Sequence, residues 1–198
     1  MALSKREQLL EMAIELFFKG GCHTTGIDKL LAQAGVAKMT LYSHFKSKED
    51  LILAAAERLH EQHMERLRTI LQDSSKTPLE RHSAVFDYLE QFVNVPEYSG
   101  CPFQKLAVEF SDPAHPIHQM AARHKREVED AVTNALEAQG FPQARSLARQ
   151  FLLLSEGAQA MIQITGDHSY LQDARAAGER IVAELYGLKQ VRDEEQPH

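Results

Sequence analysis

Residues 24–50, TTGIDKLLAQAGVAKMTLYSHFKSKED, leave few options for the chain that contains them. Ile27, Leu30, Leu31 and Ala34 recur at i, i+3, i+4 and i+7, the apolar stripe of an amphipathic helix. Thr25 with Asp28 three residues on is a capping-box variant with the shorter acid, so the spacing predicts a helix over 25–34. Gly35 ends it, as a residue at ease with positive φ does, and Val36 can fill the angle that follows. A second helix, over 38–45, is only about two turns long. Leu41 and Phe45, one turn apart, point inward, which leaves Lys38, Met39, Thr40, Tyr42, Ser43 and His44 on the other faces. The outward surface carries no acid, and Lys38, Lys46 and Lys48 surround it. Such donors suit phosphate oxygens and base edges in a major groove. The pattern is that of a helix-turn-helix whose second helix is the reader.

The run GVAKMTLYSHFKSKEDL resembles the signature of the TetR family of bacterial transcriptional regulators almost position for position, and the resemblance is strong over residues 3–59. It implies an all-α fold of about nine helices, with a three-helix DNA-binding head on a helical body that binds an effector and dimerises. On that pattern Lys38, Met39, Thr40 and Ser43 face base edges or their approach, while Thr25, Tyr42, His44 and Lys48 face phosphates. The family's matching lysine contacts phosphate, which accounts for a cation at Lys48 in the first turn of a helix, where the dipole disfavours it.

Charge agrees with a local reader rather than a coat. The 198 residues carry a formal net charge of -6, which argues against bulk electrostatic binding of nucleic acid. Up to Asp50, however, Lys5, Arg6, Lys19, Lys29, Lys38, Lys46 and Lys48 roughly balance the acids, and the deficit lies downstream. No secretory segment opens the chain and no apolar run is long enough to span a bilayer, so a bacterial cytoplasm with reduced Cys22 and Cys101 is expected.

The rest of the chain reads as helices separated by clear breaks. Ser4 and Glu7 predict a capped first helix ended by Gly20-Gly21, with Lys5 and Arg6 near a phosphate as one reading and plain solvated charge as the other. Ser47 caps a long helix reaching about residue 73 as a connector. Thr77-Pro78 starts another, Pro96, Pro113 and Pro116 mark loops, and Gly140 stops a long helix begun at Ile117. FLLL at 151–154 leaves no polar face over a turn, so that helix is expected to be buried on more than one side. The expected division is residues 1–50 as DNA-binding domain, 51–190 as effector and dimerisation domain, and 191–198 as a disordered tail. The last two helices carry more apolar face than one protomer covers, which predicts a homodimer through a four-helix bundle and a palindromic operator.

Polar and aromatic residues on otherwise apolar helices mark a candidate effector pocket: Tyr88, Phe92, Cys101, Phe103, Gln104, Phe110, His118, Phe151, Glu156, Gln159 and Met161, with Gln163 nearby. Taken singly, each is as well explained by packing. Cys101 opens a helix after Gly100, a position that favours thiolate and so an electrophile or redox sensor, although a small residue packed in a turn fits too. His60 and His63 share a face and His115, His118 and His124 lie near one another, but no carboxylate or cysteine completes a metal set, so no metal is expected. No nucleophile elbow, Walker loop or HExxH is present, so neither enzyme chemistry nor a cofactor is expected. The sequence thus predicts a repressor that a small molecule releases from DNA; a helical enzyme or ligand carrier is the rival class.

Overall fold

The computed structural model describes residues 3–96 and 98–195, and they form helices joined by short turns. In chain order these are α1 (Lys5–Gly20), α2 (Ile27–Ala34), α3 (Lys38–His44), α4 (Lys48–Leu71), α5 (Pro78–Val93), α6 (Pro102–Glu109), α7 (Pro116–Ala138), α8 (Ala144–Thr165) and α9 (Ser169–Glu195). Among the described residues there is no strand, and no helix is long and apolar enough to cross a membrane.

Local chemistry sets most of the boundaries. Ser4 and Glu7 close a reciprocal capping box on α1, and Thr77 with Glu80 does the same on α5, whose first residue is Pro78. The Ser47 hydroxyl accepts the Asp50 N–H at 3.0 Å, and the Asp50 carboxylate accepts the Lys46 N–H at 3.0 Å, so two otherwise unpartnered donors at the start of α4 are satisfied. Gly35 sits at φ 61°, ψ 35°, the left-handed C-cap that lets α2 turn sharply into α3.

The chain folds into two compact units. Of the described residues, one unit comprises those within 1–64 with Cys101–Lys125, and the other those within 65–100 and 126–198. Both α4 and α7 therefore give their N-terminal parts to the first unit and their C-terminal parts to the second. The core of the first unit joins Leu9, Phe17, Leu30, Leu41, Leu51 and Ile52 to Phe103, Leu106 and Ile117. Grouping α6 and the start of α7 with the head was not legible in the sequence, where these helices read as part of the body. In the second unit Phe86 and Val93 of α5 pack with Ala158 and Ile162 of α8 and with Leu171 and Ala174 of α9. A separate cluster there is built on Leu136, Phe141 and Leu147.

Three expectations need correction. Helix α2 begins at Ile27 with Gly26 as its N-cap and no side-chain cap, so Thr25 does not close a box with Asp28. Its hydroxyl donates instead to the carbonyl of Leu16 at 3.3 Å, and the residue is buried, because the turn from α1 tucks it inward. The apolar run at 151–154 is not enclosed within the chain, since Leu153 is 73% exposed. Finally, α9 continues to Glu195, so residues 191–195 are helical rather than a disordered tail; residues 196–198 lie outside those described.

Candidate nucleic-acid interface

The reader helix stands on two buried side chains. Leu41 is fully buried and Phe45 nearly so, the latter just past the end of α3, and Val36 fills the turn before it. The guanidinium of Arg6 lies 5.4 Å from the Phe45 ring centroid, which ties the start of α1 to the end of the reader. With those positions fixed inward, helical geometry presents Lys38, Met39, Tyr42, Ser43 and His44 to solvent, and Thr40 is half-buried. Met39 is 86% exposed and Tyr42 48% exposed, an unusual share of apolar surface to leave open on a helix of seven residues. The Ser43 hydroxyl donates to the carbonyl of Thr40 at 2.8 Å, and Lys38 Nζ lies 3.5 Å from the Asp28 carboxylate on α2. Lys48, in the first turn of α4, carries its ammonium 5.8 Å from the ring centroid of Phe17. Of the residues assigned to DNA, Thr25 alone is buried.

The candidate effector residues are split between the units. In the first, His118 Nδ1 donates to the carbonyl of Phe110 at 2.8 Å, and Phe103 stacks on His124 at 3.6 Å between centroids. Gln104 lies half-buried on α6. Cys101 is the N-cap of α6, is buried, and its sulfur accepts from Lys125 Nζ at 3.3 Å. Cys22 is different, since burial and then the Glu109 carboxylate push its thiol up to about 12.

In the second unit Tyr88 and Phe92 meet edge to face at 4.9 Å, with Phe92 42% exposed. Phe151 packs on His82 at 5.0 Å, and buried Gln159 donates to the Ser155 carbonyl one turn back. Glu156 and Met161 are half-buried on the same helix, and Gln163 lies against Gly100. A cleft of about 230 Å³ opens in this unit, lined by Arg66, Thr69, Ile70, Asp73, Lys76, Ala84, Asp87, Tyr88 and Gln91. It takes only Tyr88 from the candidate set.

Sequence reasoning missed a buried histidine cluster in the first unit. His60 and His124 share a hydrogen bond between their Nδ1 atoms at 3.0 Å, and the ring of His63 stands 5.1 Å from that of His124. Burial first, then the neighbouring imidazoles and the Lys125 ammonium, drives His124 and His63 well below the ordinary imidazole range. One Nδ1 must carry a proton and the other accept it, so the pair consumes these nitrogens in each other rather than offering them to a metal. Among the described residues no group of three His, Cys, Asp or Glu is arranged to hold an ion. The signal available beforehand was the i, i+3 spacing of His60 and His63, but nothing in it named His124 as the partner.

A two-turn reader held at a fixed angle by a short glycine turn, exposed on a basic and hydroxyl-bearing face, defines a helix-turn-helix DNA-binding protein. Known proteins agree over most of the chain. The profile for bacterial regulatory proteins of the tetR family matches residues 9–55, and that for the C-terminal domain of LmrA/YxaF-like transcriptional regulators matches residues 78–177. The chain belongs to the TetR family of transcriptional regulators.

Among relatives, the HTH-type transcriptional repressor NemR of Escherichia coli is 31% identical over 133 residues, 67% of each chain. YjdC of the same organism is 24% identical over 178 residues, 90% of this chain and 93% of that one. The transcriptional activator FasR of Mycolicibacterium smegmatis is 36% identical over 89 residues, and that match spans 41% of its length. The match to YerO of Bacillus subtilis spans 26% of that protein. A TetR-family regulator from Streptomyces coelicolor superposes with a TM-score of 0.82 at 29% identity, covering 91% of this chain and 95% of that one. The reduced form of E. coli NemR does so with a TM-score of 0.77 at 27% identity, covering 90% and 97%.

Proposed function

We propose that this regulator is a repressor that binds a palindromic operator as a homodimer and is released by a small-molecule effector. The observation that carries the reading is the solvent-facing surface of α3, where Lys38, Met39, Tyr42 and Ser43 stand open around the buried Leu41 and Phe45 anchors. In this reading Lys38, Met39, Thr40 and Ser43 approach base edges, and Tyr42, His44 and Lys48 hold phosphates. The Thr25 hydroxyl donates to the Leu16 carbonyl instead, which weakens the case for a phosphate contact from that side chain. The uncapped N–H groups of α2 behind Gly26 take its place as the anion-facing feature.

A dimer is supported by α8. Leu153 and Ile164, 73% and 76% exposed, lie on one face of that helix with Gly157, where an added β-carbon would meet nothing. Exposed apolar residues in helical register are what a second copy covers. A twofold axis would then place the readers one DNA turn, roughly 34 Å, apart. Release requires an effector that binds the DNA-incompetent state more tightly, because only differential affinity shifts such an equilibrium.

The test is selection of DNA fragments bound by the full chain from a random pool. The expected product is an inverted repeat with half-sites about one turn apart; recovery of unrelated sequences would end the reading. A second reading, release by an electrophile at Cys101, is favoured by the Lys125 ammonium that donates to its sulfur. Treatment with N-ethylmaleimide should release the operator from the parent chain but not from Cys101→Ser; equal release from both excludes it.

A further inference from the structure

Helix α6 reaches the DNA-binding head through two polar side chains. Lys105 Nζ donates to the carbonyl of Phe18 at 2.6 Å and to that of Lys19 at 3.1 Å. Both carbonyls belong to the last turn of α1, where no residue further along the helix can bond them and where a cation suits the dipole. One turn further on, the Glu109 carboxylate accepts the backbone N–H of His23 at 2.8 Å. The ring of His23 returns the contact, its Nε2 donating to the Glu109 carbonyl at 2.9 Å, and packs on Phe110 at 4.9 Å.

These contacts bracket the turn from α1 to α2. Between them lies Gly21 at φ 90°, a conformation a side chain would strain, and a β-carbon there would stand 3.0 Å from Thr24 Oγ1. The Thr24 hydroxyl donates back to the Gly20 carbonyl, and Thr25 is pinned to Leu16. Gly26 then caps α2, which supports α3 through Leu30 and Leu31. The angle of the reader therefore depends on this turn, and the turn is held from α6. The other end of α6 is fixed to α7, by Cys101 on Lys125 and Phe103 on His124.

We infer that Lys105 and Glu109 are positioning residues for operator binding: from α6 they lock the α1–α2 turn so that α3 meets the major groove at one angle. The inference rests on α3 being the reader. A mispositioned reader loses base contacts before it loses general attraction to phosphate, so the signature is a loss of discrimination rather than of all affinity.

The experiment uses the full chain, a duplex selected from a random pool and a scrambled duplex of the same length. Lys105→Met and Glu109→Leu should each bind the selected duplex about tenfold more weakly, the worth of one hydrogen bond to a charged group. Both should hold the scrambled duplex within about twofold. Lys105→Arg, which can still donate to both carbonyls, should recover most of the selected-duplex affinity. The double variant should lose little more than the worse single one, since both act on one turn. Unchanged discrimination in both single variants overturns the inference. So does a Lys105→Arg protein as impaired as Lys105→Met, or equal losses on the two duplexes. Lys38→Ala, on α3, serves as the control on the reader itself: if it too leaves the selected duplex bound as before, the DNA-binding reading of this face has failed, not the positioning role alone.

Discussion

His82 of α5 lies against Gly178 of α9, so closely that a β-carbon on Gly178 would overlap the imidazole. The ring is buried against Phe86 and Phe151, and its Nε2 donates to the carbonyl of Arg175 at 3.3 Å. Beside it, the Ser83 hydroxyl donates to Glu179 at 2.9 Å, and Arg175 bridges Glu179 and Asp87. A glycine in a helix interior ordinarily weakens it, so its presence here reflects close helix approach rather than backbone need.

Gly178→Ala should therefore destabilise the protein despite the better helix propensity of alanine. The overlap forces His82 out of its site, an overpacking cost of about 1–3 kcal/mol that outweighs the roughly 1 kcal/mol gained in propensity. Thermal unfolding followed by circular dichroism would read this as a lowered midpoint. A raised midpoint would mean that the two helices can part without loss.

Core and surface residues of α3 should separate cleanly. Leu41→Ala removes a fully buried anchor and should cost about 2–5 kcal/mol, with loss of DNA binding following from loss of the head. Met39→Ala changes a side chain that is 86% exposed and should leave stability within about 0.5 kcal/mol. Altered preference among selected duplexes, at unchanged melting temperature, is the expected result for Met39→Ala. If the preference is also unchanged, Met39 does not read bases.

These two residues also show what the sequence made visible. The i, i+4 pair Leu41 and Phe45 is a local pattern, and so are the Ser4 and Ser47 caps and the start of α5 at Pro78, each decided within four residues of itself. Thr25 failed because two rules competed: it has an acid three residues on, but the turn after Gly20-Gly21 spends its hydroxyl on Leu16. Lys105 and Glu109 were invisible for another reason. Their partners lie more than eighty positions away, and no periodicity along α6 announces which helix end it will meet. The candidate effector residues suffered the same limit, since an apolar helix with one glutamine reads alike whether that amide bonds its own backbone, as Gln159 does, or a ligand.

Stability should fall as pH falls through the imidazole range. His63 is pushed down to about 4 by burial, then by the nearby charges of Lys125 and His60, and His124 moves in the same direction. Between about pH 6.5 and 4 the unfolded chain therefore binds protons that the native one refuses, so unfolding is increasingly favoured as pH drops. After allowance for the partial exposure of His63, its share is about 1–2 kcal/mol. Unfolding midpoints at pH 7 and pH 5 should differ by less in His63→Gln, which cannot take the proton, than in the parent chain. An identical pH dependence would show that this ring is solvated in the native state.

Lys48 provides the most quantitative check on the interface. Its ammonium is placed at the start of α4, where Ser47 and Asp50 already satisfy the local backbone donors, so helix formation does not require it. If it neutralises a phosphate, Lys48→Ala removes one counterion released per protomer. The plot of log affinity against log salt should then become shallower by about one unit per protomer, with a similar loss on selected and scrambled duplexes. Lys38→Ala should behave differently, because its ammonium is shared with Asp28 and, in the proposed reading, approaches base edges. Its loss should fall mainly on the selected duplex, and Asp28→Asn should raise general DNA affinity by freeing that charge. Equal salt slopes for the parent chain and Lys48→Ala would remove this lysine from the phosphate-contacting set.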